Sequence, residues 1–255
     1  MNFIINEKQY VEMMVKTKEL RPRGMSKDVR LLAKYLLGNG YSKDEATSYM
    51  VNFMYDTGGN GKRWKKYIED TISQLMGLDN PNRYYLRDVT EVRITQKELE
   101  SIKSLNVEFQ RRYAFGLVVY CKILNGHKQD KWIQMDSTGG FAKDCKVSAN
   151  GKARELLFNG LLKNGLIKTS RMSGNTSIEI TFVDYDYKDD DLVIPLKHLD
   201  KFINYYYHEM NKKEKRCYVC QECGEYVECA KGENVSKRCS NCSRFKKGYT
   251  KEKKE

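Results

Sequence analysis

In the first third of the chain, apolar residues recur at the spacing of an α-helix. After Met25-Ser26-Lys27-Asp28, one face carries Val29, Leu32, Ala33, Leu36 and Leu37, and Gly38 and Gly40 end the run. Ser42-Lys43-Asp44-Glu45 has the spacing of a capping box: the Ser hydroxyl accepts from a free amide and Glu45 reaches back. The helix it opens carries Ala46, Tyr49, Met50 and Phe53. Asp56-Thr57-Gly58-Gly59-Asn60-Gly61 breaks the pattern. A third helix follows with Trp64, Tyr67, Ile68, Thr71, Ile72, Leu75 and Met76. Residues 1–78 are expected to form a helical domain.

Residues 79–105 read as a connector. A turn at Asp79-Asn80-Pro81-Asn82 precedes a short strand, Glu91-Val92-Arg93-Ile94. Thr95-Gln96-Lys97-Glu98 is a second capping box, opening a helix with Leu99, Ile102 and Leu105.

From Phe115 to Leu124 the chain is apolar on nearly every face, which predicts a buried central helix. Lys131-Trp132-Ile133 suits a short strand and Phe141 to Cys145 a short helix. Ser148 is placed to cap a further helix with Ala153, Leu156, Leu157, Gly160 and Leu161 on one face. Leu166-Ile167-Lys168, a polar turn at Ser173-Gly174-Asn175, and the strand Ser177 to Phe182 complete a hairpin. Helix, short helix, helix and hairpin is the order of a winged helix. Residues 106–210 are expected to be such a domain with a trailing helix through Leu196, Leu199, Phe202, Ile203 and Tyr206. The fold class is thus mainly α: a helical domain, an α+β winged helix, and a cysteine-rich end.

That end, residues 211–247, predicts a zinc ribbon, followed by a charged tail over 248–255. Cys220-x2-Cys223-Gly224 and Cys239-x2-Cys242 are separated by fifteen residues. Two thiolates two residues apart grip one ion from a tight turn, and a second such turn closes the tetrahedron. The expected ligands are Cys220, Cys223, Cys239 and Cys242, holding structural Zn2+. Tyr226-Val227 and Val235 are expected to supply a hairpin between the turns. Cys217-x2-Cys220 is a second valid pair, so a shifted ligand register stays open, with Cys229 a spare thiol.

Charge bears on partners. There are 46 Lys and Arg against 34 Asp and Glu among 255 residues, a net +12, which favours a polyanion and nucleic acid first. If the winged helix meets DNA, Asn150, Lys152, Arg154 and Lys163 are its exposed recognition-helix candidates. Lys168 and Arg171 are candidates on the wing, and Arg238, Arg244, Lys246 and Lys247 beside the ribbon. Neither a signal peptide nor a run of about 20 apolar residues is seen, so a cytoplasmic, membrane-free protein is expected.

Catalytic patterns are weak. Gly58-Gly59-Asn60-Gly61-Lys62 fails as a phosphate loop, because Asp56 stands where a glycine is needed and no Ser or Thr follows Lys62. Asp184, Asp186, Asp189, Asp190 and Asp191 fit no cation-loop spacing and read as a solvated turn. His127, His198 and His208 have no nucleophile pattern beside them, and His208 is expected to face solvent. Cys121 and Cys145 are expected to be packed thiols. The protein is therefore expected not to be an enzyme.

Several phrases together resemble a family of largely uncharacterised proteins from phages and prophages of low-GC Gram-positive bacteria. They are Met1-Asn2-Phe3-Ile4-Ile5-Asn6, Arg30-Leu31-Leu32-Ala33-Lys34-Tyr35, Trp64 in its helix, Ile94 to Leu105, Phe115 to Lys122, and the terminal paired cysteines. The resemblance implies a phage-encoded protein at work in a bacterial host and transfers no catalytic residue. Two functions are compatible with it: DNA binding in replication or transcription, and docking on a host protein such as polymerase, replication machinery or a defence complex.

Overall fold

A computed structural model describes residues 3–21, 24–58, 60–134, 138–147, 151–170, 177–210, 216–222, 224, 226–229, 238–239 and 242. These residues are mainly helical, with small antiparallel sheets. They pack as two units, Phe3–Thr90 and the chain from Glu91 onward.

The first unit holds four helices: α1 (Glu7–Thr17), α2 (Met25–Gly38), α3 (Lys43–Asp56) and α4 (Gly61–Met76). Three of the four starts, those of α1, α3 and α4, have a side-chain cap. The Asn6 side chain accepts from the Gln9 amide, and Asn60 does the same for Arg63. Ser42 and Glu45 form the expected capping box. Gly40, at φ +85°, lets the chain leave α2 in the left-handed conformation. Val11, Met14, Leu32, Leu36, Met50, Phe53, Ile68, Ile72 and Leu75 make one core. Each such side chain contributes about 1.5–3 kcal/mol by leaving water. Tyr67 and Met76, grouped with that face by spacing, are exposed instead.

The segment read as a connector, 79–105, is divided between the units. Residues up to Thr90 belong to the first. Arg87 pairs with Glu7 at 2.7 Å and donates to the Ile4 carbonyl, while Lys34 donates to the carbonyl of Tyr85.

The second unit opens with β1 (Glu91–Ile94) and α5 (Gln96–Lys103), then α6 (Glu108–Asn125). Next come β2 (Trp132–Gln134), α7 (Thr138–Asp144), α8 (Gly151–Lys163), β3 (Ile167–Thr169) and β4 (Ser177–Ile180). β5 (Leu192–Pro195), a 3-10 turn (Leu196–Lys201) and α9 (Phe202–Met210) follow, and β6 (Arg216–Val219) and β7 (Tyr226–Cys229) form the last hairpin.

Helix α6 is the axis of this unit and is buried from Tyr113 to Ile123, as its nearly all-apolar faces predict. Phe115 packs on Phe202 and Tyr206 of α9, and Tyr113 and Tyr120 meet Phe141 of α7 edge-on. Gly116 permits a close approach: a Cβ there would overlap the Cys145 sulfur.

The three-stranded sheet has the order β2-β4-β3, all antiparallel, with Ile133 opposite Ile178 and Ile167 opposite Ile180. A separate ribbon pairs β1 with β5, Val92 opposite Ile194. The hairpin at the cysteine-rich end pairs β7 with β6, the strand before the first cysteine turn. The expected partner segment around Val235 lies outside the described residues, as does Ser148, the expected cap of α8.

Candidate functional site

Three of the four expected ligands come together. The sulfurs of Cys220, Cys239 and Cys242 all lie within 4.8 Å of one another, close enough to hold one metal ion. Among the described residues this is the one gathering of three or more ligand-type side chains. Cys220 and Cys239 are buried and Cys242 is half-buried. Cys223 lies outside the described residues.

The backbone around these sulfurs suits a bound cation. The Cys239 amide donates to the Cys220 sulfur at 3.3 Å, and the Cys242 amide to the Cys239 sulfur at 3.4 Å. Amides aimed at sulfur stabilise thiolate, the form that ligates metal. Gly224 makes the first turn possible: at φ +68° it adopts the left-handed region, and its amide returns to the Cys220 carbonyl. Cys217 lies on β6 opposite Glu228, and Cys229 on β7 opposite Arg216.

Arg238 has a structural partner. It pairs with Glu222 at 2.9 Å, tying the stretch after Cys220 to the residue before Cys239. Lys168 likewise faces Glu179 across β3 and β4, at 3.7 Å and largely exposed. Lys163 is exposed at the end of α8. Lys152 and Arg154 lie in the first turn of α8, their side chains outside the description. Asn150, Arg171, Arg244, Lys246 and Lys247 lie outside the described residues.

Helix α8 corrects one expectation. Leu157 and Leu161 point into the core, but Leu156, expected beside them, is 65% exposed. Leu157 and Leu161, four apart, define the buried stripe, and Leu156 falls a full residue turn off it. The outward face then carries Glu155, Leu156, Asn159, Leu162 and Lys163. Gly160 is required where α8 meets α6, since a Cβ there would clash with the Gln110 amide.

The acidic stretch is not uniformly solvated. Asp191 is buried and accepts from the Lys188 amide, and Asp184 pairs with Lys97 at 3.4 Å. His208, expected to face solvent, is half-buried and hydrogen-bonded to Glu209. His198 is buried against the Tyr205 hydroxyl. Cys121 and Cys145 are buried, as expected. Burial raises the Cys121 thiol to about 11 and the Cys145 thiol well above its ordinary value, so neither is a ready nucleophile.

One charged pair was missed by the sequence reading. Lys122 and Glu98, both nearly excluded from water, meet at 2.7 Å. Glu98 Oε2 also takes the Thr95 amide, and its Oε1 takes the Asp184 amide at 2.9 Å. Lys122 donates to the Arg93 carbonyl at 2.6 Å and lies 4.8 Å from the Tyr187 ring centre. Burial pushes the Glu98 carboxyl up and the Lys122 ammonium down, each opposed by the other's charge. The pair clamps β1, α5, α6 and the 184 segment together. Only the Thr95–Glu98 capping box could have hinted at it.

Compared with known proteins, the chain matches no family model, no curated protein and no solved structure. No helix among the described residues is long and apolar enough to cross a membrane.

Proposed function

We propose that this chain is a non-enzymatic DNA-binding protein, serving replication or transcription, with a winged helix over residues 106–210 and a structural zinc ribbon over 211–247. It acts in the cytoplasm of a bacterial host, as a phage-derived protein. The observation that carries the reading is the order α6, β2, α7, α8, β3, β4 with β4 central in the sheet. That order sets a surface helix directly before a hairpin, the arrangement that lies in a major groove with its wing on phosphate. The net +12 charge supports a polyanionic partner.

Cys223 completes the ligand set with Cys220, Cys239 and Cys242, and zinc suits four thiolates on this spacing. A closed thiolate shell leaves no position for water, so the ion folds the module and hydrolyses nothing. Lys163 and Lys168 are the described cations of the helix and wing.

Electrophoretic shift at about 50 and 200 mM salt tests the reading, since phosphate-driven affinity falls steeply with salt. The expected result is binding at the lower concentration that weakens sharply at the higher. Absence of binding to any DNA at about 50 mM refutes it. A second reading, docking on a host protein, is favoured by Leu156 and Leu162 on the outer face of α8. Capture from host lysate separates the two, because a docked protein survives nuclease treatment and a DNA-bridged one does not.

A further inference from the structure

The first unit carries a basic patch that the proposed function does not use. Helices α2, α3 and α4 are joined by short turns and pack on one another, so α2 and α4 start at the same end of the unit. Lys27 and Arg30 of α2 and Lys62, Arg63, Lys65 and Lys66 of α4 are all exposed. Of these, Lys65 is held by Glu69 at 3.8 Å. Two acids of that end are engaged with other cations, Asp28 with Arg21 and Asp56 with Lys18.

The patch works against the fold. The first turn of α4 has no acidic residue, and cations there face the positive end of the helix dipole. Aromatic rings lie among them. Tyr67 is 41% exposed and braced edge-on by Trp64, and the 47% exposed Tyr55 ring covers Gly61 so closely that a Cβ would overlap it. Lys62 and Lys66 share one helix face, and Arg63 and Tyr67 the next. Cations that follow a backbone, with rings on which bases stack, are the chemistry that takes a single strand.

We propose that the start of α4 is a second nucleic-acid contact, specific for single-stranded DNA, in which Lys62, Arg63 and Lys66 hold phosphates and Tyr67 stacks on a base. It rests on the reading of the chain as a DNA-binding protein, and adds a strand to the duplex assigned to the winged helix.

Fluorescence anisotropy on the full chain tests it with two probes, a dT oligonucleotide of roughly 20 nucleotides and a duplex of equal length. The variants are K62Q/R63Q/K66Q, Tyr67→Ala and, for the winged helix, K163Q/K168Q. The triple variant is expected to bind the dT strand at least ~10-fold more weakly, with the salt slope reduced by about 2, since each lost phosphate contact removes ~0.7. Tyr67→Ala is expected to lose roughly 10-fold on the same probe. Neither should move duplex affinity, and the thermal midpoint of the triple variant should hold or rise. K163Q/K168Q should weaken the duplex and spare the dT strand. Unchanged dT affinity and slope in the triple variant overturn the inference. Wild-type protein that binds duplex but no dT strand overturns it while leaving the winged-helix reading intact. Failure to bind either probe overturns both.

Discussion

Replacing Lys122 by Met removes the ammonium and keeps most of its stem. Glu98 is then left buried with two backbone amides but no positive charge within bonding distance. Losing one partner of a buried pair costs about 3–5 kcal/mol, because the remaining charge keeps its desolvation penalty. Set against a typical total of about 5–15 kcal/mol, that is a large share. Glu98→Gln strands the Lys122 ammonium against the Arg93 carbonyl and a tyrosine face, and should cost a similar amount. The double variant leaves no unpaired charge, so it should be less destabilised than the sum of the singles by at least about 2 kcal/mol. Urea denaturation read by Trp132 in a Trp64→Phe background follows the unit that contains the pair, as the chain has 2 tryptophans. Additive losses, or single losses below about 1 kcal/mol, would refute the clamp.

Two further outcomes are expected. Metal removal by a chelator should abolish the order of the β6–β7 hairpin, and one equivalent of Zn2+ should restore it; a hairpin signal unmoved by chelation would rule out a folding role for the ion. Stability should also fall between about pH 9 and 11. The folded Cys121 thiol titrates near 11, above its ordinary 9.0, so its contribution is whole below 9 and lost as pH rises through 11. At about 1.4 kcal/mol per unit, Cys121 accounts for roughly 2–3 kcal/mol over the whole window, of which about 1.5–2 kcal/mol falls between pH 8.5 and 10.5, and Cys121→Ala should flatten the alkaline loss by that smaller amount in urea titrations at those two pH values.

What was legible in the sequence is what neighbouring residues decide. Ser42 with Glu45 and Thr95 with Glu98 are three apart, and both boxes form as written. The helical spacing of Leu32, Leu36, Ile68 and Ile72 marks a core face because each helix has one. Cysteine spacing brings out three ligands because a Cys-x2-Cys turn is a local object. The illegible parts depend on distant partners. Leu192-Val193-Ile194-Pro195 is too short to announce β5, and only its pairing with β1 makes it a strand. Lys122 in an apolar helix looks like the single polar break in a buried face until Glu98 is brought to it from α5. Leu156 sits in an apolar run, yet which of two adjacent leucines turns inward is set by where α6 lies.

The pairing of β1 with β5 also has a consequence in time. Val92 waits for Ile194, about 100 residues further along the chain. At a synthesis rate of about 5–20 residues per second, β1 spends roughly 5–20 s on the ribosome before its partner exists. Everything from α5 to β4 is made in that interval, including Lys122 and Glu98. The ion pair can therefore close first, gathering β1 against α6 through the Arg93 carbonyl before its strand edge finds β5. On that schedule, the Lys122 ammonium holds one carbonyl of β1 while the rest of the strand still has no partner.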